Sequence, residues 1–210
     1  MTSKWNQLFE GGGIHTDSTP DLTNLVPILK QDKVKRILDA GCGNGRDSIY
    51  LSQQGFDVYA VDSSTTAIQA AKKASLGARI NYQVCDLTEL PFENEFFDFV
   101  LAGHSIEYTG SQLDKVISEF TRVLKKGKPI YLRVLSKSHP FYKKEQNELY
   151  GNSVLEYAIR KNITIRYFSE DELRNLFSEF KIGKLEHVEH EPSRKTGVPL
   201  NEWILLGYKQ

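Results

Sequence analysis

Short apolar runs alternate along this chain with segments whose apolar residues recur every three or four positions. Five runs rich in β-branched and aromatic residues lie in its first two thirds: VKRILDAG, FDVYAVD, INYQV, FFDFVLAG and KPIYLRVL. Strands covered on both faces of a sheet read as nearly continuous apolar runs, and FDFVLA and VYAV do. The alternation of such runs with helical patterns predicts a doubly wound α/β fold, in which helices cover a parallel sheet.

The helical pattern is clearest in the segment SQLDKVISEFTRVLKKG. We expect Ser111 to cap the start of this helix and Gly127 to end it. Ser64 or Thr65 is expected to cap another helix, which runs to about Lys73. SEDELRNLFSEF predicts a helix with a capping box, which pairs Ser169 with Glu172.

The last third of the chain is less regular. Residues 137–166 follow neither period and are expected to form an insertion on the substrate side. KIGKLEHVEH and NEWILLGYK then predict two final strands. The chain has 210 residues, the size of one ordinary domain. We therefore expect a single domain over residues 1–210, with residues 1–33 as an N-terminal cap segment.

Composition narrows the classes of function. Lys+Arg and Asp+Glu both number 27, so the formal net charge is zero, which makes nucleic acid an unlikely partner. No apolar run approaches the roughly 18 residues of a membrane helix, and the N-terminus has no signal-peptide core. Cys42 and Cys85 show no disulfide spacing, so a cytoplasmic location is expected. His187 and His190 would face opposite sides of a strand, and no metal site is expected.

Candidate chemistry is concentrated in the glycine loop LDAGCGNGRDS, which follows a strand and precedes a helix. Its glycines are Gly41, Gly43 and Gly45. The dinucleotide fingerprint G-x-G-x-x-G would need a glycine where Arg46 stands. Asp39 would also place a carboxylate near the pyrophosphate of a dinucleotide, and like charges disfavour each other. The same carboxylate suits the ammonium and sulfonium of S-adenosylmethionine, so Asp39 favours that cofactor.

Two further acids follow later strands. Asp62 closes VYAVD and can accept hydrogen bonds from both ribose hydroxyls. Asp86 follows the third strand, where it can accept from an adenine amino group while the Leu87 amide donates to the ring. Either acid could instead serve only as a turn former or helix cap. Because the carboxyl ends of parallel strands form the ligand-binding edge of such sheets, the acids together predict a nucleoside cofactor there.

The residues resemble a known family. VKRILDAGCGNGRDSIYLSQQGFDVYAVDSS, CDLTELPFENEFFDFVLAGHSIEYT and RVLKKGKPIYLRV are similar to motifs of the class I S-adenosylmethionine-dependent methyltransferases, over about residues 35–135. The first segment resembles the small-molecule branch, which includes tellurite-resistance and thiopurine methyltransferases. The resemblance implies a Rossmann-like, seven-stranded and mostly parallel sheet whose last strand is antiparallel. It also implies S-adenosyl-L-methionine as cofactor and methyl transfer to a small-molecule acceptor.

The resemblance adds further site residues. It implies that Ser63 lies beside the ribose, and that Ala102, Gly103 and His104, just past the fourth strand, form a floor near the sulfonium. His104 is the candidate general base, because an imidazole with a pKa of ~6.5 can take up a proton near neutrality. Weaker candidates for the same role are Glu107, Tyr108, His139, Tyr142 and Glu145.

An N-terminal lid is also implied. In the small-molecule branch such a segment folds over the cofactor, and here Trp5, Phe9 and His15 would form it. The chain departs from other branches, since no [N/D]-P-P-[Y/F] follows the fourth strand and no Pro-Cys nucleophile occurs. Adenine-N6, glutamine and cytosine-C5 acceptors are therefore disfavoured.

Two alternatives stay open at this point. A non-catalytic subunit that binds S-adenosylmethionine or a partner would carry the same cofactor motifs. A nicotinamide-dependent oxidoreductase is disfavoured by Asp39 and Arg46. A protein or RNA acceptor is also possible, although the zero net charge argues against RNA.

Overall fold

The computed structural model describes residues 2–10, 22–142, 163–192 and 199–210. Its strands are β1 (Arg36–Ala40), β2 (Asp57–Asp62), β3 (Ile80–Val84), β4 (Phe99–Gly103), β5 (Pro129–Leu135), β6 (Phe180–Glu189) and β7 (Asn201–Lys209). Its α-helices are α1 (Thr2–Glu10), α2 (Leu22–Gln31), α3 (Arg46–Gln53), α4 (Thr65–Ala74), α5 (Leu113–Val123) and α6 (Glu170–Leu176). Two 3-10 turns, Ile106–Tyr108 and Gly110–Gln112, precede α5. Within these ranges no helix is long and apolar enough to cross a membrane.

All seven strands form one sheet in the order β3-β2-β1-β4-β5-β7-β6. The pairs from β3 to β5 are parallel, whereas β7 runs antiparallel to both of its neighbours. The strand order reverses between β1 and β4, and ligands of open α/β sheets bind at such a switch point. The predicted doubly wound, seven-stranded sheet with an antiparallel last strand is confirmed.

Helices cover both faces of the sheet, as near-continuous apolar strands require. On one face, α5 buries its whole apolar stripe against β4 and β5; the stripe consists of Leu113, Val116, Ile117, Phe120 and Val123. On the other face, α2 packs on β1 and β4 through Leu22, Leu25, Val26 and Leu29. The sheet edge at the carboxyl ends of the strands is left to the connecting loops.

Helix α2 was missed in the sequence, where it formed part of the cap segment 1–33. Its buried residues nevertheless follow the spacing i, i+3, i+4, i+7 of an amphipathic helix. The helix therefore belongs to the core of the fold rather than to a cap over a site.

The predicted ends of α5 were wrong. Ser111 lies in the preceding 3-10 turn, and Gln112 takes the N-cap position without a side-chain hydrogen bond. The helix ends before Leu124, which is extended and pairs with Phe97. The left-handed Gly127 turns the chain only after this bridge. The pairing of Leu124 with Phe97 therefore ends α5 before the chain reaches Gly127.

The other predicted caps are present. The Ser64 hydroxyl accepts a hydrogen bond from the Ala67 amide at the start of α4. Ser169 and Glu172 form the predicted capping box of α6. That helix is shorter than predicted, because Phe180 already begins β6.

We predict that α2 contributes strongly to stability. Leu29 is fully buried, whereas its neighbour Ile28 is 40% exposed. Leu29→Ala should lower the free energy of unfolding by about 2–5 kcal/mol through lost burial and a cavity. The matched control Ile28→Ala should change it by no more than about 0.5 kcal/mol. Urea unfolding followed by circular dichroism measures both, and equal effects would contradict the packing of α2.

Candidate functional site

The glycine loop after β1 packs closely against Ser105 and Tyr82. Gly41 and Gly45 adopt left-handed backbone conformations, with φ of 80° and 78°. A Cβ atom on Gly41 would overlap with the side chain of Ser105, and one on Gly45 would lie 2.7 Å from the Tyr82 hydroxyl. Both positions therefore require glycine for conformation and for space. The loop lies directly beside the turn that follows β4.

Asp62 fixes the geometry of this edge from the end of β2. Its Oδ2 accepts the amide hydrogen of Gly43 at 2.9 Å, and its Oδ1 accepts that of Ser64 at 2.8 Å. Burial raises the pKa of Asp62, although these backbone bonds oppose the rise. One carboxylate thus joins the glycine loop to the start of α4, and each oxygen has a further lone pair for a ligand. Ser63 lies in the same turn and is partly exposed.

Asp39 is less charged than its sequence suggested. It is almost fully buried, and Ser48 Oγ donates to its Oδ2 at 2.5 Å. Burial, and then the negative charge of Asp47, raises the pKa of Asp39 to about 7. Asp39 is therefore not a fully ionised carboxylate near neutral pH, which corrects the expectation from the sequence. A nearby cation would favour the ionised form of Asp39. Because the acid is partly protonated near neutral pH, its repulsion of an anion is weaker than that of a fully ionised carboxylate.

The predicted adenine contacts lie at the end of β3. Asp86 is exposed, and its Oδ1 accepts from both the amide and the hydroxyl of Thr88, at 2.9 and 2.8 Å. This oxygen stabilises a turn, which is the alternative role predicted for Asp86. Leu87 is partly buried against the core. The adenine role of both residues stays a prediction.

The predicted floor at β4 needs a correction. Ala102 and Gly103 are the last residues of the strand rather than residues past it, and the Ala102 methyl group is fully buried in the core. Beside Gly103 the space is open, since an added Cβ would meet no described atom within 4 Å. His104 then turns the chain with a left-handed φ of 52°. Open space therefore lies at Gly103, and the Ala102 side chain cannot line it.

His104 is held between two buried carboxylates. Its Nδ1 lies 2.9 Å from Glu107 Oε1, and its Nε2 lies 2.9 Å from Glu202 Oε2. Burial alone would lower the pKa of His104, but the two carboxylates outweigh it and raise the pKa to about 9. The ring is an imidazolium at neutral pH and has no lone pair to take up a proton. The general-base interpretation of His104 therefore loses its physical basis.

Glu202, at the start of β7, is the centre of this cluster and was not singled out in the sequence. Arg133 binds it in a bidentate manner, with its two nitrogens 2.6 and 3.0 Å from the carboxylate oxygens. His190 Nε2 lies 2.6 Å from Oε1. Burial opposes ionisation, but the contacts with His104 and Arg133 hold the pKa of Glu202 well below its usual range. Charged residues inside the apolar runs KPIYLRVL and NEWILLGYK were the signal that could have found it.

The weaker base candidates divide into several cases. Glu107 is fully buried in the 3-10 turn after β4, and its Oε1 also accepts the Leu135 amide at 3.2 Å. Burial and the nearby positive His104 lower the pKa of His139 to about 4. Tyr142 stacks at an angle near Tyr167. Glu145 lies outside the described residues.

Helix α1 supplies the described part of the predicted lid. The Trp5 ring packs edge-on against Tyr108, with centroids 5.0 Å apart. The ring of Phe9 comes within 3.5 Å of the position that a Cβ on Gly43 would take. The helix therefore spans from the glycine loop to the turn after β4. His15 lies outside the described residues.

Comparison with known proteins fits this geometry. A family model described as a methyltransferase domain matches residues 38–132, which run from β1 into β5. This segment of the chain is similar to the class I S-adenosylmethionine-dependent methyltransferases. S-adenosylmethionine is the cofactor of this family.

Named relatives match about half of the chain. An uncharacterized methyltransferase of Bacillus subtilis, YodH, is 35% identical over 124 residues, which cover 57% of this chain and 52% of the relative. The malonyl-[acyl-carrier protein] O-methyltransferase of Salmonella typhimurium is 32% identical over 103 residues, covering 49% and 40%. The chain spans about half the length of the curated relatives it matches.

A solved structure extends the similarity to the whole fold. The 1,6-didemethyltoxoflavin-N1-methyltransferase of Burkholderia thailandensis superposes with a TM-score of 0.71 at 22% identity, covering 100% of this chain and 87% of the other. At this identity the likeness shows the methyltransferase fold alone.

Two polar groups at the carboxyl ends of β1 and β4 are compatible with this cofactor. Ser105 Oγ is buried against the glycine loop and has no hydrogen-bond partner within the described ranges. Asp39 is a buried acid that a cationic ligand would ionise. Both groups have polar atoms that a polar, positively charged ligand could pair with.

We predict that cofactor binding releases a proton from Asp39. At about pH 6 most Asp39 is protonated in the ligand-free chain, and the ammonium of S-adenosylmethionine favours the ionised form. Titration calorimetry in buffers of different ionisation enthalpy should show release of roughly one proton. Asp39→Asn should bind without proton exchange, whereas Asp57→Asn, at the exposed start of β2, should behave like wild type. Wild-type binding without proton release would remove Asp39 from the site.

We also predict a pH dependence of stability from His104. Its pKa is raised from 6.5 to about 9 on folding, so its stabilisation is complete below pH 6.5 and is lost as the pH rises through about 9. Urea unfolding should therefore show a steeper fall in stability over this window in wild type than in His104→Gln. His187→Gln, a control histidine on β6, should keep the wild-type slope. Equal slopes in wild type and His104→Gln would contradict the imidazolium assignment.

Proposed function

We propose that this chain binds S-adenosylmethionine at the carboxyl ends of β1 to β4 and transfers its methyl group to a small-molecule acceptor. The observation that carries the proposal is the Asp62 carboxylate, whose two oxygens hold the glycine loop and the start of α4. This junction lies within the matched methyltransferase domain. A carboxylate at the end of the second strand is also the group that binds ribose hydroxyls in related α/β sheets.

Each remaining cofactor residue has a stated task. Asp39 would face the ammonium group, and the glycine-loop amides would receive the carboxylate of the methionine part. Ser63 would lie beside the ribose. Asp86 and the Leu87 amide would meet the adenine ring.

The chemistry needs alignment more than proton transfer. S-adenosylmethionine supplies a methyl carbon that positive sulfur already activates toward direct displacement by a lone pair. The protein aligns the acceptor and excludes water, and alignment can contribute up to ~7–11 kcal/mol in favourable cases. His104 would act as a positioning residue, because its imidazolium holds Glu107 and Glu202 in fixed orientations.

The outer segments would complete the single domain of residues 1–210. We propose that α1 acts as a lid, which its contact between Trp5 and Tyr108 supports. Residues 143–162 lie outside the described residues, so the acceptor-side role of the segment 137–166 rests on its described end, where Phe141 packs with Leu135 and Tyr167 in a separate apolar cluster. A cytoplasmic location stays a prediction.

The acceptor class follows from the relatives only in outline. Their names include an O-methyltransferase that acts on malonyl-[acyl-carrier protein] and an N1-methyltransferase of a toxoflavin precursor. Small-molecule oxygen and nitrogen acceptors are therefore both included in the first screen.

We predict that the cofactor, rather than NAD, binds and that Asp62 is required. Calorimetry should show micromolar binding of S-adenosylmethionine and no binding of NAD. Asp62→Asn should weaken cofactor binding about tenfold or more, as expected for lost charged hydrogen bonds of ~1.5–3 kcal/mol. Asp57→Asn, on the same strand at the opposite edge, is the matched control and should leave the affinity unchanged.

Turnover is tested separately by release of S-adenosylhomocysteine across small amines, thiols, phenols and carboxylates. Tighter binding of NAD, or an Asp62→Asn variant with wild-type affinity, would overturn the assignment of the site. Binding without any turnover on such a panel would favour the non-catalytic alternative.

A further inference from the structure

Helix α1 reaches the start of α4 through one polar side chain. The side-chain oxygen of Asn6, Oδ1, accepts a hydrogen bond from Ser64 Oγ at 2.7 Å. It also accepts two longer hydrogen bonds of 3.4 Å, from Thr65 Oγ1 and from the Thr66 amide. The amides in the first turn of a helix have no partner within that helix. Asn6 therefore adds to the N-terminal cap of α4 from a different helix.

Ser64 connects Asn6 to the Asp62 carboxylate. The serine is fully buried; its amide donates to Asp62 Oδ1 at 2.8 Å, and its hydroxyl accepts from the Ala67 amide at 3.1 Å. A hydroxyl group has one hydrogen to donate, and the Ser64 hydroxyl donates it to Asn6. Asp62 in turn accepts the Gly43 amide. A continuous series of hydrogen bonds thus runs from α1 to the carboxylate and on to the glycine loop.

Two aromatic side chains extend the contacts of α1 across the same edge. The Phe9 ring lies 3.5 Å from the position that a Cβ on Gly43 would take. The Trp5 ring packs against Tyr108 in the turn after β4. Helix α1 therefore contacts the loops that follow β1, β2 and β4. These loops border the switch point of the sheet, where a ligand of such a fold binds.

The contacts of α1 differ in how strictly they fix its position. Ring surfaces such as those of Trp5 and Phe9 stay in contact when a helix shifts slightly, whereas a hydrogen bond weakens steeply as its geometry departs from the ideal. The next side chain, Gln7, is exposed, because successive residues of a helix point about 100° apart. The Asn6 hydrogen bond therefore sets the position of α1 on α4.

We propose that Asn6 holds α1 closed over bound S-adenosylmethionine and thereby sets the rate at which the cofactor is exchanged. The proposal rests on the function proposed above and adds a residue that controls the same site. Docked α1 gives the Ser64 hydroxyl its acceptor and so keeps the turn that carries Asp62 in place. A cofactor held by Asp62 stabilises the same turn and therefore favours docking of α1, because such coupling is reciprocal.

Asn6 is thus a positioning residue, since it acts on the cofactor through Ser64 and Asp62. Its effect is expected in the rate of cofactor release, because the cofactor leaves past the three loops that α1 contacts. Lid opening and product release limit turnover in many enzymes. The described side chains of α1 take no part in the two large apolar clusters of the core. An Asn6 variant should therefore fold normally.

The first experiment measures exchange of S-adenosylhomocysteine by stopped-flow fluorescence. Asn6→Ala should raise the dissociation rate constant about threefold or more, as expected for the loss of one hydrogen bond, without slowing association. Asn6→Asp keeps an acceptor oxygen at the helix N-terminus and should restore slow dissociation to within about twofold of wild type. Gln7→Ala removes an exposed amide from the same helix and is the matched control, with wild-type rates. All variants should keep the wild-type melting temperature.

The second experiment observes the position of α1 directly. The chain contains two tryptophans, Trp5 and Trp203, so labelling with 5-fluorotryptophan gives two fluorine resonances, which Trp5→Phe assigns. In ligand-free Asn6→Ala, the solvent isotope shift of the Trp5 resonance should rise about twofold or more, because the ring becomes more exposed to water. Saturation with S-adenosylhomocysteine should reverse most of this change. The Trp203 resonance, on β7, should stay unchanged.

The failures of the two proposals are distinguishable. A chain that does not bind S-adenosylhomocysteine overturns the proposed function. A chain that binds it, but releases it from Asn6→Ala at the wild-type rate, overturns only the role of Asn6. The same conclusion follows if Gln7→Ala releases it as fast as Asn6→Ala. Faster release with an unchanged Trp5 resonance also overturns that role, because Asn6 would then act without moving α1.

Discussion

The buried carboxylate of Glu202 is the interaction on which this end of the sheet depends. Arg133 and His104 direct their charges at it, and His190 adds a third contact. Two cations out of water are tolerated only when paired, so removing the carboxylate would leave both uncompensated. The pairing requires the antiparallel strand: β7 begins where β5 ends, with Glu202 opposite Leu135. A parallel last strand would put its first residue at the other edge.

This cluster changes what His104 can do. The sequence placed a histidine at the end of β4, and that position is where the structure has it. Its protonation state could not be predicted, because it is set by Glu107 one turn later and by Glu202 almost a hundred positions away. Only the folded sheet brings the two carboxylates to opposite sides of the ring. The raised pKa of His104, about 9, therefore argues against the role of general base that the sequence suggested for it.

Local sequence patterns predicted the framework well, for physical reasons that also explain the errors. Apolar runs reflect burial, and glycines reflect left-handed turns, so both are visible locally in the sequence. The fold class, the glycine loop and the caps at Ser64 and Ser169 could therefore be predicted. The ends of α5 could not, because Leu124 leaves the helix to pair with Phe97, a contact distant in sequence. Helix α2 could have been predicted, because its apolar residues have helical spacing in the sequence, but it was missed. Burial likewise makes Asp39 a half-ionised acid, and no short motif carries that information.

The same sheet edge thus has two halves with different electrostatics. Toward β3 it offers backbone amides of the glycine loop and two acids, Asp39 and Asp62, whose pKa values are raised by burial. Toward β7 its charges already cancel, and one carboxylate oxygen of Glu107 is left over. The acids of the first half suit the positively charged cofactor proposed above. The two halves join at the end of β4, where Gly103 leaves space and His104 turns the chain from one half to the other.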